Sequence, residues 1–309
     1  MSNRGTKAWK LGCGIAAVLG VLLLCFVWLL GLELCRRFHI IPQASRRITQ
    51  SAREALGPGT LPVSCPTSDG LYAPGWYRTG ETRAAIVFLH GLGGTRQQLA
   101  RIARRLHEEG WGVLLIDQRG HGEHPSDLTT FGRAEALDAL AAVEWLRKQP
   151  EVDPGRIGLY GASMGAATSI RAAAQDPRIG CVVADSSYAA FRRHLVFELA
   201  REEARIHLSP RWRPLVMRAF LHYSPRLIGE WSREPEPVDI VGDISCPLFL
   251  IQGENDKRIN PDDLNELARA ARDGGTDVAV WQVRGAGHCG YHDSEEFFRR
   301  LTGFFRMYL

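Results

Sequence analysis

The sequence predicts an α/β domain: a mostly parallel central sheet flanked by helices, carrying a helical insertion and preceded by a transmembrane helix. Three observations predict it. Short apolar runs rich in β-branched residues alternate with stretches at helical spacing along most of the 309 residues, and parallel strands need such crossovers. About sixty residues, Asp185 to Cys246, separate two of those runs, more than one crossover requires. An uncharged apolar run lies near the start of the chain.

That run extends from Leu11 to Leu32. A helix rises about 1.5 Å per residue, so about 20 apolar residues cross the hydrocarbon core. Arg4, Lys7 and Lys10 precede it, and Glu33, Arg36 and Arg37 follow it. A cleaved signal peptide is the alternative, but its apolar region is shorter and ends in a small-x-small site. This run ends in Gly-Leu-Glu-Leu-Cys-Arg-Arg. The reading is an uncleaved single-pass anchor, with its tail, over residues 1–35. Basic residues flank the span almost evenly, Arg46 and Arg47 included, so the charge rule nearly ties. The short basic tail tips the expectation towards a main domain on the exported side. Residues 36–66 read as a connector, with a short helix over Ile48–Leu56 stopped by Gly57-Pro58-Gly59.

The remainder, residues 67–309, reads as one domain with an insertion at 186–245. Leu71–Arg78 is an early strand and Ala84–Leu89 (AAIVFL) a buried one. A helix over Thr95–Glu109 leads to the strand Gly112–Ile116. A second helix covers Arg133–Lys148. The strand Arg156–Tyr160, the Ala-rich helix Met164–Gln175 and the strand Cys181–Ala184 follow. Beyond the insertion come the strand Pro247–Ile251, the helix Pro261–Ala271, the strand Val278–Val283 and an amphipathic helix, Glu295–Met307. The insertion reads as two helical pieces, Phe191–Ile206 and Trp212–His222, punctuated by Pro210, Pro214 and Pro225 and carrying nine arginines.

Composition excludes several classes. Hydrophobic residues make up 45% and charged residues 23%, ordinary for a globular chain with one sizeable core. The net charge of +4 is small, its basic excess lies near the apolar run and in the insertion, and no nucleic-acid motif is present. The seven cysteines have no CxxC or paired spacing, which disfavours a disulfide framework or a zinc knuckle. His121 and His124 with Glu123 lack a second ligand cluster, so no metal site is expected there.

The chemistry concentrates at strand ends, where open α/β sheets carry their sites. Gly161-Ala162-Ser163-Met164-Gly165 follows a strand and opens a helix. This G-x-S-x-G pattern builds a sharp turn that lifts a serine hydroxyl above the sheet. A hydroxyl is a weak nucleophile and needs a base. Asp256, past the strand ending at Ile251, is the candidate acid, with Glu254 and Asp239 as rivals. His288, in the Gly-rich loop after Val283, is the candidate general base. His292 competes with it but reads as a solvated residue before the last helix. An oxyanion hole needs two aimed backbone N–H groups. Met164 offers one; His90-Gly91-Leu92-Gly93-Gly94 offers the other, assigned to Leu92 with Gly93 as fallback.

HGLGG, DQRGHGEH, GASMG, GENDKRI and GAGH, in this order, resemble the α/β-hydrolase superfamily over about Leu71 to Leu309. The likeness is strongest to membrane-tethered, Bem46-like and acyl-peptidase-like serine hydrolases. It implies the α/β-hydrolase fold, a cap formed by the insertion, no metal or organic cofactor, and cleavage of esters, thioesters or peptide bonds. The anchor and the apolar insertion favour carboxylic esters, lipid-derived acyl esters among them, with no nucleic-acid partner. A peptidase or acyl-peptidase shares these motifs and stands as the rival, a thioesterase beside it. A non-catalytic scaffold on the same fold is a third class, against which the intact Ser, Asp and His argue.

Overall fold

In the computed structural model, residues 3–40, 56–200 and 211–309 are described. Eight strands form one sheet in the order β1-β2-β4-β3-β5-β6-β7-β8. They are β1 (Leu61–Pro66), β2 (Tyr72–Arg78), β3 (Ala85–Leu89), β4 (Gly112–Ile116), β5 (Ile157–Ala162), β6 (Cys181–Asp185), β7 (Leu248–Gly253) and β8 (Val278–Val283). β1 and β2 run antiparallel to their neighbours, and β4 through β8 are mutually parallel. β1 lies in the stretch read as connector. Its two prolines and exposed alternate residues hide a strand signal, yet it pairs residue by residue with β2 at the sheet's edge, where proline is tolerated.

Strand alternation divides the core in two. Ala85, Val87 and Leu89 of β3 face α3 (Glu135–Arg147), α4 (Met164–Gln175) and α7 (Asp262–Asp273). Ile86 and Phe88 face α2 (Ala100–Glu108) and α8 (Glu295–Tyr308). The last helix shows why the pattern works: Phe297, Phe298, Leu301, Phe304 and Phe305 form one buried stripe at helical spacing. Each such side chain contributes about 1.5–3 kcal/mol on full burial. The hydroxyl of Ser294 accepts the Phe297 N–H at 3.2 Å and caps its start.

The first helix, α1 (Asn3–His39), holds a segment, Ala17–Arg37, long and apolar enough to cross a membrane. It continues past the expected end of the anchor at residue 35. The helix expected over Ile48–Leu56 falls, but for Leu56, outside the described residues. In the insertion, α5 is described over Phe191–Ala200, and the rest of the expected first piece lies outside the described residues. The second, α6 (Arg213–Ile228), runs six residues beyond expectation, straight through Pro225. Packing of its Val216, Phe220 and Leu227 against Val27, Leu34 and Leu195 holds it helical there.

Candidate active site

The parallel register sets the site. Leu89 pairs with Gly161, Ala162 with Asp185, and Gly253 with Val283. The loops that leave β3, β5, β6, β7 and β8 therefore emerge along one edge of the sheet. Ser163, Met164, Asp256, His288 and Leu92 all lie at these strand ends.

Ser163 follows β5 in a left-handed conformation, φ 57° and ψ −117°, which costs a non-glycine residue of order 1–3 kcal/mol. Close packing enforces it. A Cβ on Gly161 would lie 2.0 Å from the Gly165 carbonyl oxygen, and one on Gly165 would lie 2.0 Å from that of Leu89. Both glycines let α4 press against the strand ends. The Ser163 N–H donates to the Asp185 carbonyl at 2.7 Å, fixing the turn from the neighbouring strand.

Asp256 is buried beyond β7, and one carboxylate oxygen accepts the N–H groups of Arg258 (2.8 Å) and Ile259 (3.0 Å). Its other oxygen meets Nδ1 of His288 at 2.8 Å. Asp256 and His288 are thus brought together from residues 32 apart. A carboxylate is a pure acceptor, so Nδ1 carries the proton and Nε2 is left as the basic nitrogen. Among the described residues no hydrogen bond joins Ser163 Oγ to that ring, a contact that often closes only with substrate in place. The two rival acids are committed elsewhere. Glu254 accepts the Gly285 N–H at 2.8 Å, and Asp239 accepts that of Glu236 at 2.9 Å in a capping box.

In the loop after β3 nearly every amide is taken. Gly91 donates to Gln98 Oε1 (3.0 Å), Gly93 to Nε2 of His121 (3.0 Å) and Gly94 to the Gly91 carbonyl (3.0 Å). The fallback donor Gly93 is therefore occupied. Among the described residues, Leu92 and Met164 keep amides without such a bond, and a Cβ at Gly91 would sit 3.3 Å from that of Ser163. His121 serves as this latch and Glu123 pairs with Arg96. His90 braces the same loop: its Nε2 accepts the Gln118 N–H and its Nδ1 donates to the Gly91 carbonyl. Burial holds its pKa down at about 4, which keeps the ring neutral.

The sequence reading missed one hub. Asp185, the last residue of β6, is fully buried, and its carboxylate accepts from the hydroxyls of Tyr160 (2.8 Å) and Tyr291, from Nε2 of His292 (2.7 Å) and from Ser186 Oγ (3.1 Å). His292 is thus half-buried and paired, not solvated; its ring also packs on Phe297. Burial pushes Asp185 up, but the His292 ring and the two phenols outweigh it and hold its carboxyl below the usual range. Three of its partners, Cys289 among them, follow His288 in one loop, while its backbone carbonyl holds Ser163. A signal was present: a carboxylate ending a buried strand must be compensated.

An apolar wall of Phe131, Ala167, Tyr188, Phe191 and Ile259, with Leu92 against it, stands beside the loop after β3. Residues 86–300 match the Alpha/beta hydrolase family. An uncharacterized protein of Mycobacterium tuberculosis (strain H37Rv) is 31% identical over 260 residues, covering 83% of this chain and 80% of its own length. A thiohydrolase of Aspergillus aculeatus is 33% identical over 136 residues, 42% of this chain and 43% of its own. Among solved structures, an esterase of Pyrococcus furiosus superposes with a TM-score of 0.71 at 26% identity, over 87% of this chain and 98% of that one.

Proposed function

We propose, from the premise that this chain belongs to the alpha/beta hydrolase family, that it is a membrane-anchored serine hydrolase acting on carboxylic esters. The observation that carries the reading is the 2.8 Å contact between Asp256 and His288 Nδ1, on the same sheet edge as the strained Ser163 elbow. Ser163 Oγ attacks the ester carbonyl and passes its proton to His288 Nε2. Asp256 holds the opposite nitrogen protonated and stabilises the imidazolium. The oxyanion is received by the amides of Met164 and Leu92, an arrangement generally worth several kcal/mol. The tetrahedral adduct collapses as the alcohol departs with the proton from His288. Water, deprotonated by the same ring, then releases the acid and restores Ser163. Thioesters follow the same path with a thiol leaving, and the thiohydrolase relative makes them the second class to assay.

The apolar wall at Leu92, Phe131 and Phe191 suits an acyl chain, and the Ala17–Arg37 segment suits a single span; together they favour lipid-derived esters. A fluorophosphonate loses fluoride to an activated serine. Wild type should label and Ser163→Ala should not, with turnover of p-nitrophenyl esters lost by at least about 10⁴-fold. An intact, folded wild type that does not label overturns the reading in favour of a scaffold. Faster turnover of aminoacyl-naphthylamides than of esters overturns the ester assignment in favour of a peptidase.

A further inference from the structure

We propose that α6 lies in the headgroup layer of the same bilayer that α1 spans, its arginines on anionic lipid, so that the site opens over the leaflet. This rests on the anchored-hydrolase reading above and adds where the insertion sits.

The two helices are one unit. A Cβ on Gly31 would fall 2.3 Å from the Cβ of Ala219, so their backbones meet at a small-residue crossing, as packed membrane helices do. Val27, Leu34 and Cys35 of α1 close over Val216 and Phe220 of α6 and Leu195 of α5. On the other side of that crossing α1 is bare: Val18, Leu19, Val21, Leu22, Leu24 and Phe26 are 50–62% exposed.

Length then places the membrane boundary. The sixteen residues Leu11–Phe26 span about 24 Å as helix, short of the roughly 30 Å hydrocarbon core. Filling the core takes about four residues more, to Leu30, and three of them, Val27, Trp28 and Leu30, already pack on α6. The boundary must therefore fall at the crossing itself. The side chains there suit it. The ring of Trp28 meets His222 edge-on at 4.9 Å and Tyr223 at 5.8 Å, and Trp and Tyr collect where hydrocarbon meets headgroups. Arg226 stands one turn beyond His222 and binds its carbonyl. Arg211, Arg218 and Arg226 are all exposed, and basic side chains on an interfacial helix attract anionic lipid.

The crossing also reaches the site. The ring of His39, nine residues past Leu30 and so about 13 Å further along the axis, donates from Nδ1 to the Thr129 carbonyl (2.8 Å) and accepts the Ser224 hydroxyl at Nε2 (2.9 Å). It packs on Phe131, whose ring lies 4.1 Å from that of Phe191 in the apolar wall. A continuous helix thus fixes the height of that wall above the leaflet, within reach of an amphiphilic ester drawn part-way out.

The test uses the full chain in phosphatidylcholine–phosphatidylserine nanodiscs, with p-benzoylphenylalanine placed singly at positions 21, 218, 226 and 299. Lipid adducts are expected at 21, 218 and 226, and none at 299 on the exposed face of α8. Adducts at 21 alone would overturn the interfacial placement while leaving the anchor; none at 21 would remove the anchor, and the proposal with it. A second measurement reads function. The double variant R218Q/R226Q should raise KM for a long-chain p-nitrophenyl ester held in anionic vesicles by about ten-fold. Its turnover of soluble p-nitrophenyl acetate should match wild type. Equal loss on both substrates, or no change on either, would overturn the proposal. Ser163 labelling is scored separately, so failure of the hydrolase reading is distinguishable.

Discussion

Replacing Asp185 with Ala removes an acceptor shared by two buried phenols and an imidazole. Tyr160 is fully buried and Tyr291 is 4% exposed. Each keeps a single longer contact of 3.2 Å, to His292 Nε2 and Ser186 Oγ respectively, and neither hydroxyl can turn to water. His292, with 22% of its side chain exposed, can. Exchanging a charged acceptor for a longer neutral one costs part of the roughly 1–3 kcal/mol of an unpaired buried donor at each phenol, and the cavity adds to it, so we expect a loss of about 3–5 kcal/mol. That is a large share of the 5–15 kcal/mol typical of a folded protein, and for a domain of this size it corresponds to roughly 10 °C in Tm. Asp185→Asn keeps one acceptor and should lose less than half as much. Thermal unfolding of the full chain in detergent micelles, followed by near-UV circular dichroism, measures it. The same substitution slackens the loop that carries His288, so fluorophosphonate labelling below Tm should slow by about 10- to 100-fold, the cost of misplacing a base by about 1 Å. A Tm within 2 °C of wild type for Asp185→Ala, with labelling unchanged, would refute the assignment of Asp185 as the hub.

Ser163→Gly relieves the left-handed backbone at the elbow and should raise stability by about 1 kcal/mol while abolishing labelling; a loss of stability in urea unfolding would show that the φ of 57° is not strained. Burial pushes the Asp263 carboxyl up to about 6, although the Ala189 N–H and Arg193 lean on it. A raised acid binds its proton more tightly when folded. Its contribution is therefore complete below about pH 4 and is lost as pH rises to about 6, at most about 3 kcal/mol in all. Asp263→Asn should flatten that slope, and the difference in Tm between wild type and variant across pH 4–7 would stay constant if the reasoning is wrong.

The central sheet was legible because fully buried parallel strands write themselves as continuous apolar runs, AIVFL and GVLLI most plainly. The Asp–His pair was legible for a related reason: strand ends locate the site, and only certain residue types there can do the chemistry. β1 was not, since Pro62 and Pro66 and a half-exposed face carry an edge strand's pattern rather than a core strand's. The Asp185 hub escaped because Tyr160 reads as one more apolar residue of a buried strand, and its phenol matters only when β6 is laid beside it. His292 has polar neighbours in sequence, and its partner lies 107 residues away; nothing local announces such a bond. Gly93 and Leu92 look interchangeable in HGLGG until His121 is seen to claim one of them.

That claim has a consequence for turnover. Because His121, Gln98 and the Gly91 carbonyl already hold the three glycine amides, the loop's geometry is settled in advance, and among the described residues the Leu92 amide is left without an internal partner. Under the proposed mechanism, charge on the substrate oxygen would meet a loop that needs no internal bond broken or made. Tetrahedral mimics such as boronic acids should then engage without a slow phase arising from this loop.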